Sequence, residues 1–228
     1  MKKNKYFTTF ELILWISSMA LINASFFIFD GKNLLNLICS LLGATSLIFC
    51  AKGNPIGNAI MIVFSILYSI ISLTFKYYGE MITYLFMTLP MSIIALIAWL
   101  KNPFNGKHSQ VKVNQLSAKE FYVITVLSLA VTAVFYFILK AFNTANLIVS
   151  TISITTSFFA EVLTYKRSPF FCLAYAFNDL VLIVLWIYAT ISNLSYASVT
   201  TCFITFFIND IYGFINWLKM KKIQNKES

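Results

Sequence analysis

The stretch that decides the fold is residues 169–190, which read PFFCLAYAFNDLVLIVLWIYAT. Its one charged side chain is Asp179. A helix of about 20 mostly apolar residues is long enough to cross a lipid bilayer. The stretch therefore predicts a transmembrane helix that carries a carboxyl group inside the membrane.

Seven further segments share this apolar character, so that the predicted spans are 10–29, 34–51, 57–75, 80–100, 121–141, 147–164, 169–190 and 196–218. The segments are too long for strands, and an open sheet would leave backbone polar groups unsatisfied in lipid. The composition agrees, because 59% of residues are hydrophobic and only 11% are charged, whereas soluble domains contain about 25% charged residues. The sequence predicts an all-α integral membrane protein with about eight transmembrane helices.

The positive charge lies at the ends of the apolar segments, which favours a membrane surface over nucleic acid as its partner. The net charge is +9. If both termini are cytoplasmic, the inner loops hold fourteen cations and the outer loops three, the excess that inner loops usually carry. The inner cations are Lys2, Lys3, Lys5, Lys52, Lys101, Lys107, Lys112, Lys119, Lys166, Arg167, Lys219, Lys221, Lys222 and Lys226, and the outer ones are Lys32, Lys76 and Lys140.

The first segment has an alternative interpretation as a signal peptide, because three lysines precede it. It carries Glu11 and Asn23, however, and no small-residue cleavage site follows before Asp30, which favours a retained helix. Since no Arg-rich leader is present, we expect a bacterial inner (plasma) membrane. The four cysteines lie in apolar runs without paired spacing, so a disulfide framework is not indicated.

Segments two to four resemble segments six to eight. Residues 37–40 match 147–150, residues 54–55 match 168–169, and residues 99–101 match 217–219, at offsets of 110, 114 and 118. Two parallel three-helix repeats are one plan of membrane transporters, although chance similarity between apolar helices is the alternative. The predicted division is an N-terminal helix (1–33), a first bundle (34–102), a loop and linker helix (103–146), a second bundle (147–218) and a basic cytoplasmic tail (219–228).

Two of the acids, Asp179 and Asp210, share a pattern. Each follows an asparagine and precedes a tryptophan by seven residues, Trp186 and Trp217 respectively. Seven residues return a helix to within about 20° of the same face, so each acid and its indole share a face. Carboxyl groups and aromatic rings on one face suit a flat, polar or cationic organic ligand.

Other interpretations of these polar residues remain open. Trp217 and Tyr212 are also typical of an interfacial aromatic belt, and Asp210 is also explained as a helix cap or a partner of Lys219. Glu80 is either a functional carboxylate or an acid favoured at a helix start. The six hydroxyls between Ser150 and Ser157 suit either a polar path or hydrogen bonds between helices.

The chemistry of an enzyme is not indicated. The sole histidine, His108, falls in a predicted loop, which excludes a histidine-pair metal site and a Ser-His-Asp triad. No phosphate-binding loop or dinucleotide fingerprint is present. We therefore expect no catalytic residues, no metal and no cofactor.

Three stretches of the chain resemble the PnuC family of nicotinamide riboside transporters. They are Tyr78-Gly79-Glu80-Met81-Ile82 through Leu89-Pro90-Met91 to Trp99-Leu100-Lys101-Asn102, Tyr175-Ala176-Phe177-Asn178-Asp179 through Trp186, and Asn209-Asp210-Ile211-Tyr212-Gly213-Phe214-Ile215-Asn216-Trp217. The resemblance covers nearly the whole chain after the first helix.

The resemblance implies a SWEET-like fold, in which a linker helix joins two three-helix bundles and an extra helix precedes them. It also implies facilitated diffusion of nicotinamide riboside, with uptake driven by a separate kinase, and assembly as a homotrimer. Many relatives have Gln where this chain has Ser92, so carriers of thiamine, riboflavin or a deoxynucleoside are alternatives, and a non-transport membrane subunit is a less favoured one. The implied substrate-binding residues are Asn178, Asp179, Trp186, Asn209, Asp210, Tyr212, Trp217, Trp99, Ser92 and Glu80.

Overall fold

A computed structural model describes residues 6–74, 77–144 and 146–227. Within these ranges, eight helices are long and apolar enough to cross a membrane. They are α1 (Thr9–Asp30), α2 (Leu34–Ala51), α3 (Ile56–Thr74), α4 (Tyr78–Leu100), α5 (Ala118–Ala141), α6 (Leu147–Tyr165), α7 (Phe170–Ser192) and α8 (Ala197–Glu227). The predicted fold class is confirmed.

Two features differ from the expected helix pattern. Helix α8 continues to Glu227 instead of ending near residue 218, because Gln224 is buried and bonds the backbone of Val111 and Val113. The loop after α4 also forms an antiparallel hairpin of β1 (Pro103–Phe104) and β2 (Lys107–Val111). Its turn is Asn-Gly with positive φ at both residues, the usual signal for a tight hairpin.

Six of the helices close into a ring. Helix α2 packs on α3, α3 on α4, α4 on α6, α6 on α7, α7 on α8, and α8 returns to α2. Helix α1 packs outside the ring on α2 and α8, and α5 packs on α6. The triplets α2–α4 and α6–α8 therefore occupy equivalent halves of the ring, as expected for parallel repeats.

The turn between α2 and α3 repeats in the turn between α6 and α7. Gly53 and Arg167, 114 residues apart, have φ of 66° and 57°. Each donates its N–H at 2.9 Å to the carbonyl three residues earlier. Their own carbonyls accept the N–H of Val111 at 2.9 Å and of Asn114 at 3.0 Å. The loop after α4 thus holds both triplets by equivalent bonds.

The repeat extends to the helices before each triplet. Both α1 and α5 begin with a capping box, at Thr8 and Ser117 respectively. In each box the glutamate three residues after the cap accepts the backbone N–H of the cap residue. The same glutamate pairs with a lysine in the turn after the next helix, α2 or α6. These pairs are Glu11–Lys52 at 2.9 Å and Glu120–Lys166 at 3.2 Å.

These turns bring positively charged side chains together at one end of the ring. We term this end the basic face. Its cations within the described residues are Lys52, Lys101, Lys107, Lys112, Lys119, Lys166, Arg167, Lys219, Lys221, Lys222 and Lys226. Lys32 and Lys140 lie at the opposite end. Lys2, Lys3, Lys5 and Lys76, which the charge count also used, lie outside the described residues.

Candidate functional site

A small cavity lies inside the ring, and all six ring helices contribute to its wall. Its volume is about 30 Å³. Neither α1 nor α5 supplies any of its wall residues, which are Leu47, Met61, Phe64, Tyr84, Thr88, Ser157, Glu161, Tyr175, Asn178, Asp179, Phe203, Phe206 and Asp210. Both triplets therefore contribute to the wall of the cavity.

The carboxyl groups of Asp179 and Asp210 meet in this cavity. Both residues are 4% exposed, and their side chains are hydrogen-bonded to each other. A hydrogen bond between two carboxyl groups requires a proton on one of them. The Oδ2 of Asp179 is buried, and no donor from another residue type in the described part of the chain reaches it. The pair thus places two carboxyl groups in the wall of the cavity inside the ring.

Asn178 is fixed by the hydroxyls of α6. Its Oδ1 accepts from Thr156 at 2.8 Å, Ser157 at 3.0 Å and Ser153 at 3.3 Å. An amide oxygen has two lone pairs, so three donors leave it no spare capacity. Hydroxyls in this part of α6 therefore join α6 to α7, which favours the helix-packing interpretation of the hydroxyl cluster.

Glu161 adds a third acid to the cavity wall. It is 1% exposed and hydrogen-bonds Tyr175, while its Oε1 is buried without a partner. The set of binding residues drawn from the sequence omits it, although an acid within an apolar segment was a usable signal.

Trp186 lies beside the cavity without lining it. Its Nε1 donates to the hydroxyl of Tyr68 at 3.2 Å, and the Tyr68 ring lies 4.4 Å from that of Tyr84, which does line the cavity. Two tyrosines therefore connect the indole to the cavity wall.

Trp99 and Trp217 form a symmetric pair near the basic face. Both are fully buried, and their rings lie 5.3 Å apart. The Nε1 of Trp99 donates to the Thr164 carbonyl and that of Trp217 to the Cys50 carbonyl, each at 2.8 Å. Cys50 and Thr164 are 114 residues apart, the same offset as the two turns. Burial to this degree excludes the belt interpretation for Trp217.

The model of the family described as "Nicotinamide mononucleotide transporter" matches residues 33–219. The chain belongs to this family. As a member of the nicotinamide mononucleotide transporter family it is a transporter and not an enzyme, which confirms the function class expected from the sequence. The eight helices make it a multi-pass membrane protein.

Relatives within the family align over most of the chain. The nicotinamide riboside transporter PnuC of Neisseria mucosa is 26% identical over 220 residues, which cover 94% of this chain and 83% of that protein. The protein of the same name from Haemophilus influenzae is 21% identical over 214 residues, or 93% and 92% of the two chains. A crystal structure of the vitamin B3 transporter PnuC has a TM-score of 0.83 at 23% identity, covers 96% of this chain and 94% of that one, and confirms the fold.

The other candidate residues of this family member lie away from the cavity. Asn209 donates to Ser18 of α1 at 2.9 Å, and Tyr212 donates to Glu11 at 2.8 Å. Glu80 and Ser92 are buried in α4 but do not line the cavity. Of the ten residues expected to bind substrate, the structure brings Asn178, Asp179 and Asp210 together at the cavity wall.

Proposed function

We propose that this member of the family carries nicotinamide riboside through the plasma membrane by facilitated diffusion. The observation that carries the proposal is the Asp179–Asp210 carboxyl pair at the centre of the helix ring. Nicotinamide riboside contains a positively charged pyridinium ring and ribose hydroxyls. Buried carboxyl groups compensate such a charge where water is absent, and the two PnuC relatives carry this substrate in their names.

Recognition combines charge with aromatic contact. The Asp179–Asp210 pair offers carboxyl oxygens to the cation or to a ribose hydroxyl, and Tyr84 and Phe203 line the same cavity with aromatic rings. A cation over an aromatic face gains further attraction. Trp186, joined to Tyr84 through Tyr68, stacks on the ligand once the cavity widens.

The cavity must widen because a volume of about 30 Å³ holds only about one water molecule, whereas ligand pockets generally measure about 300 Å³ or more. We therefore assign the structure to a closed conformation of the transport cycle. Rocking of triplet α2–α4 against α6–α8 opens it. The Trp99–Trp217 pair is the gate towards the basic face, and the cluster of Trp186 with Tyr77 and Tyr196 closes the other end.

Net uptake needs an energy source outside the carrier. In this proposal, trapping of the substrate by a separate cytoplasmic kinase supplies the direction, as the resemblance to the PnuC family implies. In this scheme the basic face and both termini are cytoplasmic, and the protein assembles as a homotrimer.

Binding titrations on the purified protein test the proposal. We expect nicotinamide riboside to bind more tightly than thiamine, riboflavin or thymidine. Asp179→Asn keeps the shape of the side chain but removes one carboxyl group of the pair, and should weaken binding roughly 10-fold or more, since a hydrogen bond to a charged group contributes about 1.5–3 kcal/mol. Glu227→Gln, on the exposed end of α8, is the matched control and should bind as the parent protein does.

The alternatives give different results. Tightest binding of thiamine, riboflavin or thymidine would replace nicotinamide riboside as the substrate. Equal affinity in Asp179→Asn and the parent protein would remove the carboxyl pair from recognition. Absence of both binding and uptake in liposomes would support a non-transport subunit.

A further inference from the structure

A second, larger pocket opens on the outside of the ring, where α4 and α6 reach the basic face. Its volume is about 450 Å³. The wall residues that matter here are Ile94, Ile97 and Lys101 at the end of α4, and Tyr165, Lys166 and Arg167 at the end of α6. The pocket shares none of its wall residues with the cavity inside the ring.

The polar half of this α4–α6 pocket is cationic and incompletely neutralised. Lys166 pairs with Glu120 at the surface, where an ion pair contributes little. The Nε of Arg167 is buried without a hydrogen-bond partner. Partial burial lowers the pKa of the Arg167 guanidinium, and an anion beside it would favour the charged form.

The other half of the pocket is apolar and faces the membrane. Ile94 and Ile97 lie three residues apart on one face of α4 and are 45% and 47% exposed. Tyr165, 40% exposed, lines the same pocket at the end of α6, and aromatic side chains at helix ends are typical of the membrane interface. The pocket thus changes from hydrocarbon-like to cationic over about two helical turns.

The repeat shows what such a groove holds. The equivalent groove lies between α8 and α2, because the offset of 118 that relates Trp99 to Trp217 relates Lys101 to Lys219. There α1 packs on both helices, and its Glu11 bonds Lys52 at 2.9 Å and accepts from Tyr212 at 2.8 Å. An apolar helix that carries a carboxylate therefore fills the groove between α8 and α2.

The α4–α6 groove has no such filling in the described part of the chain. Helix α5 begins like α1, but it packs against α6 and not extensively against α4. Arg167 stands where the α8–α2 groove has Gly53, which adds a further positive charge. The α4–α6 groove therefore holds the same position in its repeat as the α8–α2 groove. It carries more positive charge, and no helix of the described residues lies inside it.

We propose that the α4–α6 pocket binds an anionic phospholipid from the leaflet at the basic face. The phosphate lies between Lys101 and Arg167, and an acyl chain lies along Ile94 and Ile97. Basic pockets between transmembrane helices on the cytoplasmic side are typical sites for acidic headgroups. The lipid takes the place that α1 has in the other half of the ring.

Native mass spectrometry of the full chain in detergent tests this site with dioleoylphosphatidylglycerol, against dioleoylphosphatidylcholine as the neutral probe. The test variant is Lys101→Gln/Arg167→Gln. The matched control is Lys107→Gln/Lys112→Gln, which removes two exposed cations of the same face that do not line the pocket. We expect the phosphatidylglycerol affinity to fall about thirtyfold in the test variant and to stay unchanged in the control, since each cation near the surface contributes about a fivefold factor.

A second variant checks the apolar half. Ile94→Asn/Ile97→Asn should also reduce phosphatidylglycerol adducts, while thermal unfolding and nicotinamide riboside binding show that the protein remains folded. Equal adduct formation in the two charge variants would overturn the proposal. So would displacement of the lipid by millimolar inorganic phosphate, which would indicate a free-anion site, or a change of oligomeric mass in the test variant, which would indicate a second copy of the chain in the groove.

Discussion

Single buried polar residues set the chemistry of this carrier. A charged side chain in the middle of a membrane is costly and is retained where it faces a partner or a cavity. Asp179 and Asp210 meet both conditions, because they bond each other and line the interior cavity. Asn178 differs, since three hydroxyls of α6 saturate its oxygen. The neighbouring residues therefore have different surroundings: Asn178 joins α7 to α6, and Asp179 faces the cavity.

Trp186 allows a test of whether the indole binds substrate or only stabilises the core. We expect Trp186→Ala to weaken nicotinamide riboside binding about tenfold or more, because stacking and cation–π contact are lost, and Trp186→Phe to restore part of it. Tyr68→Phe is the matched control, since it removes the same 3.2 Å hydrogen bond but keeps the indole. Calorimetric titration and thermal unfolding measure the two effects. Equal loss of affinity in Tyr68→Phe would show that only the hydrogen bond matters.

The sequence predicted that these polar residues are buried, but it did not predict towards which neighbour each side chain points. The spacing of seven residues placed Asp179 and Trp186 on one inward face, and both are buried. It gave no absolute rotation of α8, however. Asn209 and Asp210 are about 100° apart around the helix, so Asp210 faces the cavity while Asn209 bonds Ser18 of α1. That choice depends on where α1 packs, which apolar periodicity does not specify.

At the scale of single elements, α4 is the irregular helix of the ring. Residues Tyr84–Thr88 form a π-helical turn, and Leu89 donates its N–H to the Tyr84 carbonyl. Pro90 follows directly, and its missing N–H breaks the regular ladder. Such turns occur frequently at functional sites. Here the turn carries Tyr84 and Thr88, which both line the cavity.

Deletion of one residue from this turn tests its role. Phe86 is 66% exposed, so its removal takes little from the core. We expect the deletion to restore a regular helix and to rotate the first part of α4 by about 100°, which turns residues on the N-terminal side out of register with the cavity. Uptake of nicotinamide riboside into liposomes should be lost, while Phe86→Ala should transport as the parent protein does. Normal uptake by the deletion variant would show that the π turn is dispensable.

Local sequence patterns mark the ends of several elements. Capping boxes at Thr8 and Ser117 mark the starts of α1 and α5, and Asn105-Gly106 marks the hairpin. These local patterns are read from a few neighbouring residues. The extension of α8 is different, because it depends on Gln224 bonding a loop more than a hundred residues away.

In the whole molecule, the six-helix ring agrees with the number of apolar spans and with the internal repeat. The packing of the two outer helices could not be predicted from either. Apolar segments of membrane length leave the backbone no alternative to helices, which is why the number of helices was predictable. Helices α1 and α5 start alike, yet α1 fills one groove of the ring and α5 leaves the other open. Differences of this kind depend on shape and charge at the groove, such as Arg167 in place of Gly53.

The orientation of the ring in the membrane decides whether each proposed gate opens to the cytoplasm or to the cell exterior. The four native cysteines are buried, so they give little background in labelling with a membrane-impermeant maleimide. We expect Leu194→Cys, exposed at the end opposite the basic face, to be labelled on intact cells. Lys107→Cys, exposed on the basic hairpin, should be labelled only after permeabilisation, because inner loops carry the excess of positive charge. The reverse pattern would place both termini outside the cell. The Trp99–Trp217 pair would then close the external entrance, and trapping by a cytoplasmic kinase would act on substrate that leaves past Trp186 instead.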